Sequence, residues 1–413
     1  MLDHSVDIPL YLVLPFAFTL GGIALLPLIA PHYWESNRNK AIFAAVLALP
    51  VAGFLARFHP HGLLHTVQEY LSFVILLGSL YAIAGGIHVG GDMVATPRHN
   101  ATILAIGAVL ANIVGTTGAS MLLIRPLLRT NQQRKNVAHV PFFFILVASN
   151  CGGLLTPLGD PPLFLGYLRG VPFTWTFRLL PLWCLTIAYL LVVFYFIDRR
   201  AYAAESLPSL LRDVRERVPV TVVGKRNLAL LGGVIGAVFV PSPYREAVML
   251  ACVGLSLRYG PDQARTLNRF SWGPMQEVAV LFAGIFVTMV PALALLYQYG
   301  PQLGLARPWQ FFLASGMLSS VLDNTPTYLT FLSAAQGLKL HAETVGVPDL
   351  FLTAISCGSV FMGANTYIGN GPNFMVKAIA EEAGYPMPTF FGYAGRALIT
   401  LAPIYLAFAL LMD

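Results

Sequence analysis

The sequence predicts an all-α polytopic membrane protein made of two inverted repeats, with about 10 transmembrane helices, two re-entrant hairpins and two broken helices. Three observations predict it. The 413 residues are 56% hydrophobic and only 11% charged, with mean hydropathy +0.69, whereas soluble domains carry about 25% charged residues. Apolar runs long enough to cross a hydrocarbon core of roughly 30 Å recur along the chain. Polar, glycine-rich blocks occur twice, in one order and at nearly one offset.

Taken in order, apolar spans are expected near 8–30, 41–57, 69–90, 101–128, 139–170 and 178–197. A charged connector, Asp198 to Arg226, follows; further spans are expected near 226–241, 244–258, 277–298, 308–337, 348–380 and 389–412. The first span follows an acidic start, Asp3 and Asp7, with no basic n-region and no obvious cleavage site. It reads as a retained helix, not a signal peptide. The first repeat is assigned to 1–200, a cytoplasmic connector to 201–225 and the second repeat to 226–413.

The repeat rests on three aligned blocks. "QEYLSFVILL" from Gln68 lies over "QEVAVLFAGI" from Gln276, and "NIVGTTGAS" from Asn112 over "SVLDNTPTY" from Ser320, both displaced by 208 residues. "GGLLTPLGDPPLF" lies over "MGANTYIGNGPNF" at 210, pairing Gly153 with Gly363, Thr156 with Thr366, Gly159 with Gly369, Asp160 with Asn370 and Pro162 with Pro372. If 101–128 and 308–337 are re-entrant hairpins, each half crosses five times and the second half is inverted. The loop bias of Lys and Arg favours this arrangement, with the N-terminus outside and the Arg129–Lys135 loop and connector in the cytoplasm.

Irregular backbone survives at membrane depth only where protein buries it or water lines it. Broken helices near the midplane of inverted repeats hold ions and substrates in secondary transporters. In the first half, the candidate binding residues are Asn112, Thr116, Thr117, Ser120, Asn150, Thr156 and Asp160. In the second half they are Asp323, Asn324, Thr325, Thr327, Asn365, Thr366, Asn370 and Asn373. Hydroxyl, amide and carboxylate oxygens suit a hard monovalent cation such as sodium, while the lack of imidazole and thiolate argues against a transition metal. For any single Ser or Thr, helix packing is an equally good explanation; the repeated constellation is the signal.

Intramembrane carboxylates are costly and commonly functional. Asp160 and Asp323 are the two within motifs, and neither has an acidic twin: Asp160 aligns with Asn370, Asp323 with Gly115. A proton and a cation compete for one carboxylate, so both are proton-coupling candidates; the competing explanation is helix capping. Glu69 and Glu277, twin acids at span starts, are further candidates, with interfacial capping as the alternative. Arg396 lies inside the last span, where snorkelling or an internal pair is expected.

The net charge of +6 is carried by short loops and suits the membrane surface better than nucleic acid. Cys151, Cys184, Cys252 and Cys357 lack metal or redox spacing. Signatures of metalloprotease, nucleotide-binding and serine-hydrolase sites are missing, so an enzyme is not expected.

"SNCGGLLTPLGDPPLFLGYLRGVPF", "SVLDNTPTYLTF" and "GANTYIGNGPNFMVKAIAEEAGYPMPTFFGY" resemble the ion-transporter superfamily of NhaD-type sodium/proton antiporters, arsenite permeases, citrate transporters and sodium/dicarboxylate symporters. The likeness extends over essentially the whole chain, closest to a branch labelled sodium:proton antiporter or citrate transporter. It implies two hairpins and two broken helices around a central site, a separate scaffold, a homodimer and elevator-like alternating access. Symporters of the superfamily carry Ser-Asn-Thr at each hairpin; this chain has "GTTGAS" at 115 and "DNTPT" at 323. The expectation is a sodium (or lithium)/proton antiporter of the inner membrane, needing no cofactor beyond the transported ions. The alternative is a cation-coupled transporter of citrate or a related organic anion.

Overall fold

A computed structural model describes residues 8–413; the acidic start, Asp3 and Asp7, lies outside them. The first half contains α1 (Val13–Ile29), α2 (Pro31–Trp34), α3 (Asn37–Phe58), α4 (Pro60–Gly85), β1 (His88–Gly90), α5 (Pro97–Thr130), α6 (His139–Val147), α7 (Pro161–Leu168) and α8 (Leu180–Ala203). The connector holds α9 (Leu207–Arg215) and β2 (Thr221–Val223). The second half contains α10 (Lys225–Ala237), α11 (Tyr244–Tyr259), α12 (Asp262–Leu267), α13 (Gly273–Tyr299), α14 (Pro308–Val321), α15 (Asn324–Gly337), α16 (Asp349–Met362), α17 (Gly371–Glu382) and α18 (Phe390–Leu411). Seven helices among the described residues are long and apolar enough to cross a membrane.

One of the seven, α5, does not cross. Gly115 takes φ +77° and ψ 158°, leaving the helical region, and the arms fold back so that Asn100 and Asn131 exchange hydrogen bonds of 2.9 and 2.8 Å. In a straight helix these residues would be about 46 Å apart. The twin element breaks between α14 and α15, whose Phe311 and Phe331 rings lie 6.2 Å apart. Two interrupted helices, α6–α7 and α16–α17, are parted by short 3-10 turns at Cys151–Leu155 and Gly363–Asn365.

The halves are inverted. From Tyr70 to Tyr81 along α4, the contacts run backwards along its twin α13 and the turn just before it: Tyr70 meets Phe286, Phe73 stacks on Phe282 at 4.8 Å, and the Tyr81 hydroxyl donates to Ser271 O at 2.8 Å. Phe73 and Phe282 are 209 residues apart, nearly the repeat offset, so each helix meets its own twin about a pseudo-twofold axis. Tyr189 on α8 donates to Thr400 O on the twin α18 at 2.8 Å, 211 residues away.

The third span ends earlier than expected. The expected span runs to residue 90, but α4 stops at Gly85, and His88–Gly90 pairs antiparallel with Thr221–Val223 of the connector. Pairing satisfies the backbone of residues 88–90, while the carbonyls of Gly85 and Gly86 accept from Asn268 and Asn227 Nδ2 at 3.0 and 2.7 Å.

Candidate functional site

The hairpin tips supply the partners that the broken helices lose. In the first half, Asn112 Nδ2 donates to Gly152 O (2.7 Å), its Oδ1 accepts from Leu155 N (2.7 Å), and its carbonyl accepts from the Thr156 hydroxyl. In the second, Ser320 Oγ donates to Met362 O (3.0 Å) and accepts from Asn365 Nδ2 (2.9 Å), while Thr366 Oγ1 donates to Ser320 O (2.6 Å). Asn112 and Ser320 are 208 residues apart, Thr156 and Thr366 210. Glycine permits the tight turn in both copies: a Cβ on Gly159 would lie 2.1 Å from Gly153 O, and one on Gly369 2.5 Å from Gly363 O.

Asp160 occupies the centre. It is 1% exposed and stands at the N-cap of α7 without capping it by its side chain. The reason is local: α7 begins with Pro161 and Pro162, neither of which has an N–H to offer. The carboxylate turns instead to Thr116 Oγ1, which donates to Oδ1 at 3.0 Å, and to Asn370 Nδ2, which donates to the same oxygen at 2.9 Å. Asn324 Nδ2 donates to Oδ2. Asn370 is the twin of Asp160 and Asn324 the twin of Thr116, so Asp160 lies on the pseudo-twofold axis and draws donors from both halves.

Asp323 behaves differently. Its Oδ1 accepts from Thr325 N at 2.9 Å, a side-chain cap of α15, and Thr327 Oγ1 donates to its backbone carbonyl at 3.0 Å. Thr325 Oγ1 reaches Asn324 Oδ1 at 3.3 Å. A second polar bridge joins the halves where Asn150 Nδ2 donates to Ile145 O (2.8 Å) and to Asn373 Oδ1 (2.6 Å). Asn373 Nδ2 in turn donates to Gly363 O and Thr366 O, both at 2.9 Å. With both amide hydrogens used, Asn150 Oδ1 stays buried and accepts no hydrogen bond among the described residues.

The structure thus gathers these residues into three groups: Asn112 with Thr156; Thr116, Asp160, Asn324 and Asn370; and Asn150, Asn365, Thr366 and Asn373. Ser120 joins through Ser149, hydroxyl to hydroxyl at 2.7 Å; Thr117 is half-buried beside the first tip. Glu69 and Glu277 go elsewhere. Glu69 is buried against Arg169, whose Nε lies 2.6 Å from Oε1, and Glu277 is half-exposed and pairs with the buried Lys40 at 2.7 Å. No Lys or Arg side chain among the described residues bonds to the motif side chains. Positive character comes instead from half-helix N-termini at residues 116, 161, 324 and 371, which face the same region.

Aromatic partners of the breaks escaped sequence reasoning. Trp183 Nε1 donates to Gly152 O at 2.8 Å, and its twin position, Tyr393, donates through its hydroxyl to Ala364 O at 3.0 Å. Tyr405 donates to Asn365 Oδ1 at 2.9 Å. Their one available signal was the 210-residue spacing of Trp183 and Tyr393, outside the aligned blocks.

Several known proteins are similar to this chain. A "46 kDa membrane protein" of Mycobacterium leprae is 25% identical over 332 residues, covering 74% of this chain and 75% of that one. An uncharacterized transporter of Mycobacterium tuberculosis is 25% identical over 400 residues, covering 88% and 90%. Another, from Synechocystis, is 24% identical over 362 residues, covering 78% and 80%. The profile of the family described as "Putative citrate transport" matches residues 5–412, and the chain, a multi-pass membrane transporter, belongs to that family.

Proposed function

We propose that the protein is a secondary active transporter that exchanges sodium or lithium for protons by alternating access, with Asp160 as the shared binding group. The observation that supports this reading is the place of Asp160. It is buried on the pseudo-twofold axis and is not spent on capping a helix. A proton and a cation are mutually exclusive occupants of one carboxylate, which is the basis of exchange. The donor set suits a hard monovalent cargo ion. Asn324 and Asn370 each carry an amide oxygen that a half-turn of the side chain directs at Asp160, Thr116 adds a hydroxyl oxygen, and Asn150 Oδ1 already lacks a donor. The same reading gives an inner-membrane homodimer.

Cation-coupled transport of citrate or a related anion is the second reading, favoured by the family's description and the four half-helix N-termini. There Asp160 would hold the coupling cation while the anion faces the helix ends.

Purified protein in liposomes separates the two. External sodium or lithium, but not potassium, is expected to make the lumen alkaline, and Asp160→Asn is expected to abolish the response. Sodium that moves no protons, or an Asp160→Asn variant indistinguishable from wild type, overturns the antiport reading. Citrate uptake that depends on a sodium gradient installs the second.

A further inference from the structure

We propose that the cleft between α6, α8 and α18 binds the head group of an anionic phospholipid. The cleft is a cavity of about 560 Å³ in which Lys135, His139 and Arg396 share the walls with apolar Phe142, Ile197 and Ile399. None of the motif residues lines it.

Arg396 is the seventh residue of α18, about 9 Å along the helix from its start. It is exposed on the outside of the bundle, and no carboxylate pairs with it among the described residues. A lone guanidinium on an apolar span is expensive, and a phosphate is the counter-ion that a lipid surface supplies. The Lys135 ammonium likewise has no acidic partner among the described residues. The nearby Glu205 spends one oxygen on the backbone N–H groups of Lys135 and Asn136, at 2.9 and 2.7 Å. His139 is held in place by Asp198, 2.8 Å from its Nε2, and Asp198 is itself bound by Arg134 at 2.6 Å.

Two uncommitted cations at one cavity attract the negative charge of a phosphodiester. Ile399 is 77% exposed and Ile197 39%, and both continue the wall outward, where acyl chains would lie. A free inorganic anion would gain nothing from those walls. The cleft lies at the end of the bundle that carries the Arg129–Lys135 loop and the connector, the basic side expected to face the anionic cytoplasmic leaflet.

Native mass spectrometry of the full chain tests the assignment, with phosphatidylglycerol, phosphatidylcholine and inorganic phosphate added in turn. Wild type is expected to retain phosphatidylglycerol over phosphatidylcholine. Lys135→Gln combined with Arg396→Gln should lower that retention about thirtyfold, while Lys339→Gln, away from the cleft, leaves it unchanged. Arg396→Lys, which keeps the charge, should retain most of the lipid and provides a readout even if the double variant fails to fold. Equal retention of the two lipids by wild type, full retention by the double variant, loss in Arg396→Lys, or displacement of the lipid by millimolar phosphate would each overturn the proposal.

Discussion

At the break of the first repeat, Asp160 precedes two prolines and turns its carboxylate to Thr116, Asn324 and Asn370. At the equivalent place in the second repeat, Asn370 precedes Gly371 and Pro372, and its amide bonds to Asp160 and to Ser149 O at 3.2 Å. The backbone devices are duplicated: a hairpin tip holding a turn, a glycine pressed on a glycine, an aromatic donor from the last helix. The charge is not duplicated. A position on a pseudo-twofold axis touches its own twin, so an acid in both copies would set two buried carboxylates within hydrogen-bonding distance. Such pairs cannot both ionise. One acid and one amide keep the symmetric scaffold and avoid the repulsion.

The sharpest break of this comparison is Asp160→Asn, which makes the two copies alike. Proton-coupled cation flux in liposomes should fall to the level of protein-free vesicles. The melting temperature in detergent should stay near wild type, because Asn324 or Asn370 can turn its amide oxygen to accept from the new N–H group. The converse variant, Asn370→Asp with Asp160 retained, should be destabilised by about 3–5 kcal/mol at neutral pH, the cost of keeping a proton on one of the two facing carboxyls; thermal unfolding in detergent measures it.

Glycine substitutions probe the shared backbone. Gly159→Ala and Gly369→Ala both force a methyl onto a carbonyl oxygen, at 2.1 and 2.5 Å before relaxation. Overpacking of this kind costs about 1–3 kcal/mol, and similar losses in both variants would show that the two turns are equivalent. The smallest effects belong to the aromatic donors. Tyr393→Phe strands the Ala364 carbonyl and should cost about 1 kcal/mol, whereas Trp183→Phe leaves Gly152 O with Asn112 Nδ2 and should cost less. Equal costs would show that the two aromatic donors are equivalent despite this difference.

Much of this site was legible in the chain. Gly115, the "GDPP" and "GNGP" turns and the two tips announce themselves because Gly and Pro break helices locally, and their recurrence at 208 and 210 residues exposes the repeat. Asp160 and Asp323 were equal candidates at that level. Each is an acid beside a helix-breaking turn, and capping was weighed for both. Capping turned out to describe Asp323 alone, since Thr325 offers its N–H while α7 opens with two prolines.

The sequence by itself determined the membrane class, the duplication, the places where helices break and the oxygen-rich composition of those places. These are properties of neighbouring residues and of periodicity. Tertiary structure alone decided that Asp160 meets its own twin, that Glu69 and Glu277 are committed to Arg169 and Lys40, that Trp183 and Tyr393 close the breaks, and that β1 pairs with the connector. Asp160–Asn370, Glu277–Lys40 and β1–β2 join residues about 130 to 240 apart, and the shorter separations, 100 for Glu69–Arg169, 31 for Trp183 and 29 for Tyr393, join helices whose relative rotation no local pattern encodes. Inversion about one axis turns two similar segments into one asymmetric site.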